Sequence, residues 1–136
     1  MVSLNAFKKI CRSDKFADWQ WLGTPGQGHN YVGLFYDSIC APMRETATAV
    51  LEIGVHDGYS HLLWDMYFTK AKIYGVDILP NPYPNHNKTI IFGYTDAYQA
   101  STATLFKGLG PNGYDLIIDD GTHIWQHQVF MFQHYW

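Results

Sequence analysis

The chain has 136 residues, and 47% of them are hydrophobic, 17% aromatic and 15% charged. A chain of this size and composition can bury one modest core, which excludes wholesale disorder. Its 9 basic and 12 acidic residues give a net charge of −3, and no basic run is longer than Lys8-Lys9. This charge pattern argues against a nucleic-acid partner, because binding to a phosphate backbone normally needs a basic face.

The two cysteines, Cys11 and Cys40, have neither CxxC spacing nor the number needed for a disulfide framework. They are expected to be thiols in a reducing compartment. No apolar stretch reaches the length of a membrane span, and the basic residues near the N-terminus are not followed by the apolar run of a signal peptide. We therefore expect a cytoplasmic protein with no membrane partner.

Residues 1–45 are predicted to form an N-terminal segment of helices and loops. Residues 3–22 indicate a short helix followed by irregular chain, and residues 23–30 form a turn-rich loop. From Tyr31 to Met43 the apolar residues have helical spacing, with Pro42 near the end. We expect this segment to cover the pocket of the domain that follows.

Residues 46–136 alternate between compact apolar runs and segments with a helical apolar face. The predicted strands are Ala49–Val55, Lys72–Leu79, Thr89–Tyr94 and Asp115–Asp119. The predicted helices are 59–69, with Asp57 as its cap, 96–108 and 122–136. Residues 80–88 cannot be regular structure, because they contain three prolines and three asparagines. This order predicts an α/β fold with a parallel sheet, in which ligands bind beyond the carboxyl ends of the strands.

The first predicted strand runs into a glycine turn. Gly54 and Gly58 follow Glu52 in the spacing E-x-G-x-x-x-G. Such glycines permit a tight turn and a close approach of a ligand to the backbone. The motif is not the dinucleotide fingerprint G-x-G-x-x-G, because the second and third glycines of that fingerprint are replaced here by His56 and Tyr59. An ordinary tight turn between strand and helix is the alternative interpretation.

Acidic residues follow the second and third strands. Asp77 lies 19 residues beyond Gly58, near the spacing at which a carboxylate accepts hydrogen bonds from ribose hydroxyls. A cap or turn aspartate before Pro80 is the alternative. Asp96 could accept from the exocyclic amine of a purine or could be the N-cap of the next helix.

The fourth strand ends in two adjacent carboxylates, Asp119 and Asp120, followed by His123 and His127. A hard cation such as Mg²⁺ prefers oxygen ligands of this kind, and a neutral imidazole beside it is a good general base. The two histidines are predicted to lie one helical turn apart. A cap with a solvated turn, and histidines that only pack, are the alternatives. A zinc hydrolase is disfavoured because position 124 is Ile rather than the catalytic Glu of HExxH.

Taken in order, these segments resemble class I S-adenosylmethionine-dependent methyltransferases. The resemblance rests on VLEIGVHDGYSHLLW, KIYGVDI, TDA and YDLIIDDGTHIWQHQ. More narrowly, the chain is similar to macrocin- and mycinamicin-type sugar O-methyltransferases and to related proteins named cephalosporin hydroxylases. Their IDDGSH element corresponds to 118–123, and an upstream element matches 13–15 and 29–31.

The resemblance implies a Mg²⁺-assisted O-methylation of a sugar or small polyol hydroxyl, with S-adenosyl-L-methionine as the cofactor. Residues expected at the cofactor are Glu52, Gly54, Gly58, Asp77, Asp96 and Asp119. The first three would shape the pocket for its methionine part, Asp77 would hold the ribose and Asp96 would approach the adenine amine. Asp119 and Asp120 would bind Mg²⁺, and His123 would take the proton from the attacking hydroxyl.

The resemblance also implies a Rossmann-like three-layer sandwich with a mainly parallel sheet, here lacking the last strands of the complete fold. Residues 46–136 would then be a partial cofactor-binding core, C-terminally truncated, with its fourth strand at an unprotected edge. We expect self-association into a homo-oligomer through that strand or the last helix. The alternative function is a catalytically incomplete cofactor-binding module. A nucleic-acid methyltransferase is disfavoured, because no N/D-P-P-Y/F motif follows the fourth strand.

Overall fold

A computed structural model describes residues 37–110 and 112–136 of the chain. The helices are α1 (Asp37–Cys40), α2 (Tyr59–Tyr67), α3 (Ala100–Leu109) and α4 (Trp125–His134), with a 3₁₀ turn at Ala41–Met43. The strands are β1 (Ala49–Ile53), β2 (Lys72–Val76), β3 (Thr89–Phe92) and β4 (Leu116–Asp119). The expectations for residues 3–30, most of the predicted 1–45 segment and Cys11 lie outside the described residues.

The four strands form one parallel sheet in the order β3-β2-β1-β4. This confirms the α/β prediction, with β4 at an edge of the sheet in the described part of the chain. Residues 77–88, between β2 and β3, contain neither helix nor strand, as their prolines and asparagines predict. All four strands run in the same direction, so the residues that follow their carboxyl ends lie on the same side of the sheet.

Helices cover both faces of the sheet because the side chains of β1 alternate between them. Val50 packs with Leu63 and Trp64 of α2 in one buried cluster. Leu51 and its neighbours on the opposite face pack with Phe106 of α3 in a second cluster. Every residue of β1 is buried, which explains why its sequence, apart from Glu52, is apolar without polar alternation. The three-layer arrangement predicted from the family resemblance is therefore present.

Several predicted boundaries were wrong by a few residues. The predicted helix 96–108 begins at Ala100, because Asp96 closes a turn with the backbone N–H of Tyr98 instead of capping the helix. The predicted helix 122–136 begins at Trp125, so His123 and His127 do not share a helix. His123 instead adopts a left-handed backbone conformation in the preceding loop.

The start of α2 also differs from the prediction. Its N-cap is Gly58 in a left-handed conformation with φ of 80°, rather than Asp57, and no side chain bonds the cap.

Cys40 is buried in the cluster beneath α2. Among the described residues, no helix is long and apolar enough to cross a membrane.

Candidate functional site

A cavity of about 560 Å³ lies at the carboxyl ends of the strands. That volume is in the range of small-molecule and cofactor sites. The loops that follow all four strands are close to it, as a parallel sheet requires. Seven of its lining residues were singled out from the sequence as candidates for the site, namely Gly54, Gly58, Asp77, Asp96, Asp120, His123 and His127. Glu52 and Asp119, which were also predicted at the cofactor, are not among its lining residues.

Gly54 is required by the approach of β4 to the end of β1. Its φ is +82°, and a Cβ there would overlap the carbonyl oxygen of Asp120 and lie 2.6 Å from the carbonyl carbon. The backbone N–H of Asp120 donates to the carbonyl of Ile53 at 2.9 Å, which holds the two segments together. The glycine therefore permits a close backbone contact that forms one wall of the cavity.

Gly58 closes the turn at the start of α2. A Cβ at this position would lie 2.5 Å from Cε1 of Tyr83 and 2.7 Å from Cγ of Pro82. Its backbone N–H donates to the carbonyl of Val55 at 2.8 Å. The irregular segment between β2 and β3 thus packs directly on the glycine turn.

Asp77 links two of the loops that line the cavity. Its carboxylate accepts from the backbone N–H of His56 at 2.7 Å and from that of Leu79 at 2.8 Å. One bond goes to each oxygen, so each oxygen keeps a lone pair for a further donor. The side chain therefore holds the glycine turn in place and is still able to accept from a ligand hydroxyl.

Asp96 lies across the cavity in the loop between β3 and α3. Its carboxylate accepts from the side-chain amide of Gln99 and from the backbone N–H of Tyr98, both at 2.9 Å. The Gln99 amide, and then the Tyr98 N–H, lower the pKa of Asp96. The carboxylate is thus charged at neutral pH and suited to accept from an amine.

The structure places Glu52 beneath the glycine turn rather than in the cavity. Glu52 shares a face of β1 with Val50, and that face packs under α2. Its fully buried carboxylate lies 3.0 Å from Nδ1 of His61 and accepts from Nε1 of Trp64 at 3.3 Å. The Glu52 side chain therefore links α2 to the sheet. It contacts the cavity only indirectly, by supporting the glycine turn at the start of α2.

Asp120 and His123 face one another at the other end of the cavity. Nε2 of His123 lies 3.4 Å from Oδ1 of Asp120. Burial, and then the nearby negative charge of Glu52, raise the pKa of Asp120. His123 is exposed and has φ of 58°, a conformation that costs energy for a residue other than glycine. The pair combines a carboxylate whose pKa is raised with an exposed imidazole, and both residues line the cavity.

The carboxylate of Asp119 has different partners from the carboxylate of Asp120. Its Oδ1 accepts from the hydroxyl of Tyr98 at 2.8 Å and from the backbone N–H of Gly121 at 3.2 Å. The ring of Tyr98 stacks on His127 with ring centroids 3.8 Å apart. Sequence reasoning missed Tyr98, because a tyrosine two residues after a candidate aspartate carries no motif of its own.

The described residues contain no group of three or more His, Cys, Asp or Glu side chains arranged to hold a metal ion. Mg²⁺ nevertheless binds proteins through one or two carboxylates and retains several waters. Asp120 fits such a site, since it lines the cavity and a cation would relieve the repulsion between its carboxylate and Glu52. Asp119 could contribute only the oxygen that Tyr98 does not occupy.

Comparison with known proteins finds sugar O-methyltransferases. The chain is 35% identical over 113 residues to an 8-demethyl-8-alpha-L-rhamnosyl tetracenomycin-C 2'-O-methyltransferase of Streptomyces olivaceus. It is 32% identical over 102 residues to the mycinamicin VI 2''-O-methyltransferase of Micromonospora griseorubida. These alignments cover 76% and 68% of this chain but only 29% and 24% of the relatives. No family model matches the chain.

Comparison with solved structures also finds a sugar O-methyltransferase of this type. The MycE methyltransferase of the mycinamycin pathway, solved with Mg and SAH, superimposes with a TM-score of 0.71 at 27% identity. The match covers 82% of this chain and 32% of that one. The chain therefore spans about a third or less of the proteins that it matches. It is a homologue of the macrocin- and mycinamicin-type sugar O-methyltransferases, and its described part has their Rossmann-like methyltransferase fold.

Proposed function

We propose that this chain carries the cofactor pocket and the acid–histidine loop of a Mg²⁺-assisted, S-adenosyl-L-methionine-dependent O-methyltransferase that acts on a sugar or small polyol hydroxyl. The observation that carries the proposal is that Gly54, Asp77, Asp96, Asp120 and His123 all line the same cavity. Two homologues are named for methylation of rhamnosyl groups, and one solved neighbour holds Mg, SAH and mycinamycin VI. These names make a rhamnosylated tetracenomycin or mycinamicin VI the first acceptor to test.

On the cofactor side, each residue has a role that its surroundings permit. Asp77 has an open lone pair on each carboxylate oxygen, which suits the two neighbouring hydroxyls of a ribose. Asp96 is charged and would accept from the adenine amine. The turn from Gly54 to Gly58 leaves room for the methionine part, and Glu52 supports that turn from below through His61 and Trp64.

On the acceptor side, His123 and Asp120 would act together. The imidazole of His123 would take the proton from the acceptor hydroxyl as that oxygen attacks, and the carboxylate of Asp120, 3.4 Å away, would stabilise the imidazolium. Asp120, with the free oxygen of Asp119, would also hold Mg²⁺, which supplies Lewis-acid charge for the acceptor oxygen when bound. The sulfonium of the cofactor supplies an activated methyl group, so orientation by the chain supplies much of the remaining catalysis.

The direct test is calorimetric titration of the 136-residue chain with S-adenosylhomocysteine, with and without Mg²⁺. We expect a dissociation constant in the micromolar range, because the lining residues that would hold the cofactor all lie on the described loops. Asp77→Asn, which retains one carbonyl acceptor, should weaken binding about tenfold, roughly the value of one charge-assisted hydrogen bond. Lys107→Gln, an exposed change on α3, is the control.

The second candidate is a cofactor-binding module without catalysis. The comparisons do not favour it, because the relatives that the chain matches are themselves named as O-methyltransferases. Binding of S-adenosylhomocysteine without methyl transfer to mycinamicin VI or a rhamnosylated tetracenomycin would support it. A folded chain that binds no S-adenosylhomocysteine would contradict both functions.

We also propose that the chain is cytoplasmic and that it self-associates with a second copy. Trp125, Val129 and Phe132 lie on one face of α4 at helical spacing, with Trp136 just beyond, and all four are exposed. The helix that carries them follows β4 in the chain, and β4 is an edge strand of the sheet in the described residues. Apolar surface of this kind favours contact with another chain.

Sedimentation should therefore show a dimer or larger species, which Phe132→Lys should convert to monomer. Leu105→Lys, an exposed apolar position on α3, is the matched control and should leave the association unchanged. A clean monomer of the unmodified chain at high concentration would refute self-association.

A further inference from the structure

Tyr98 contacts the loop that carries Asp120 and His123 at both of its ends. At the start of the loop, its hydroxyl donates to Oδ1 of Asp119 at 2.8 Å. At the far end, its ring stacks on His127 in the first turn of α4, with the ring planes 18° apart. One side chain from the β3–α3 segment thus touches both ends of the loop after β4.

The same hydroxyl and the same histidine also engage the middle of the loop. The backbone N–H of Thr122 lies 3.4 Å from the Tyr98 hydroxyl, and Oγ1 of Thr122 lies 2.6 Å from Nδ1 of His127. A Cβ at Gly121 would overlap the Tyr98 hydroxyl, so the loop backbone packs tightly on this oxygen. Burial, and then the bond to Asp119, raise the pKa of Tyr98 to about 12, so the hydroxyl retains its proton.

This set of contacts surrounds a strained residue. His123 follows Thr122 and has φ of 58°, a conformation that a histidine holds only where its surroundings enforce it. Its own side chain is exposed and lies 3.4 Å from Oδ1 of Asp120, the polar contact that the described part of the chain gives it. Contacts that fix the neighbouring loop residues favour this conformation, and Tyr98 and His127 supply such contacts at Asp119 and Thr122.

We propose that Tyr98 is a positioning residue that, through Asp119 and His127, holds Asp120 and His123 in the geometry that the acceptor side of the cavity uses. The proposal rests on the proposed function for what that geometry does. It also assigns different roles to the two adjacent carboxylates. Asp119 anchors the loop to Tyr98, whereas Asp120 faces the cavity.

The test compares Tyr98→Phe with Tyr74→Phe by NMR relaxation of backbone amides, without any ligand. Tyr74→Phe also deletes one buried hydroxyl, which donates to the carbonyl of Leu109 at 3.2 Å, away from the cavity. We expect order parameters of residues 121–124 near 0.85 in the unmodified chain and in the control. In Tyr98→Phe they should fall below about 0.6, the range of a flexible loop.

A second readout separates positioning from a merely structural role. Tyr98→Phe should raise the Mg²⁺ concentration for half-saturation about tenfold, while the dissociation constant of S-adenosylhomocysteine changes less than twofold. Tyr74→Phe should change neither. If the order parameters stay near 0.85, or if the loop becomes mobile with both affinities unchanged, the proposal is overturned. Weakening of both ligands together would also overturn it, because Tyr98 would then support the whole cavity.

A second variant attacks the same contacts from the other side. Thr122→Val deletes the hydroxyl that meets His127 on an exposed loop, where loss of the fold is not a concern. It should increase the mobility of residues 121–124, and adding Asp119→Asn to Tyr98→Phe should increase it no further. Additive effects of those two changes would contradict the proposed link. If Mg²⁺ fails to bind the unmodified chain, the metal part of the proposed function fails, and the relaxation data still decide the role of Tyr98.

Discussion

Replacing Gly54 with alanine is expected to lower the free energy of unfolding by about 2–4 kcal/mol and to abolish binding of S-adenosylhomocysteine. The left-handed backbone at φ of +82° costs alanine about 1 kcal/mol. The added methyl group would also overlap the carbonyl of Asp120, and overpacking of this kind costs about 1–3 kcal/mol more. Relief of that overlap would move the end of β1 away from β4 and open the cavity wall between them.

Gly113→Ala is a matched control for the backbone strain. Gly113 has the same φ of +82°, but apart from its chain neighbours no heavy atom of the described residues lies within 4 Å of the position of its added Cβ. Urea unfolding should therefore show a loss of about 1 kcal/mol in Gly113→Ala, with unchanged affinity for S-adenosylhomocysteine. Equal losses of stability in the two variants would show that the contact between Gly54 and Asp120 is looser than described.

Asp120→Asn is expected to reduce methyl transfer by about 100- to 1,000-fold and to remove its dependence on Mg²⁺, with cofactor affinity changed less than twofold. The amide keeps the shape of the side chain but loses the charge that would hold Mg²⁺ and stabilise a protonated His123 at 3.4 Å. The acceptor would be mycinamicin VI or a rhamnosylated tetracenomycin, and affinity for S-adenosylhomocysteine would be measured on the same samples.

Stability gives an independent readout for Asp120→Asn. Burial and the charge of Glu52 raise the pKa of Asp120, so ionisation of this side chain is less favourable in the folded state than in the unfolded chain. The variant should thus unfold at the same urea concentration as the unmodified chain or at a higher one. Glu45→Gln removes an exposed charge that precedes β1, at the end of the strand away from the cavity. It should affect neither methyl transfer nor its Mg²⁺ dependence. A collapse of cofactor binding in Asp120→Asn would instead place this carboxylate in the cofactor pocket.

The sheet and the position of the cavity could be predicted from the sequence. Four apolar runs, each followed by glycine or acidic residues, were sufficient to predict parallel strands with a ligand site at their carboxyl ends. The predicted runs were longer than the strands, because Val55 and Leu79 are apolar but already belong to loops that line the cavity. Apolar residues that a ligand would cover and apolar residues of a strand are alike in sequence.

The direction of individual side chains could not be predicted. Glu52 precedes the glycine turn, but its position in β1 turns it toward α2, where His61 and Trp64 take its carboxylate. Asp119 and Asp120 are adjacent, and the end of β4 sends one to Tyr98 and the other to the cavity. These outcomes depend on the register between strands and on partners 9 or more positions away, and no local motif contains that information.

Within residues 37–110 and 112–136, three residues other than glycine have left-handed backbones, and each lies in the loop that follows a strand. His56 has φ of 48°, Tyr94 of 54° and His123 of 58°. Glycine would relax all three positions, so a search for heat-resistant variants would tend to collect glycine at each of them. At Tyr94, which lies outside the cavity lining, the gain would be harmless; at His56 and His123 it would remove side chains that line the cavity. Thermal robustness and retention of this site therefore impose opposing selection on the same loops.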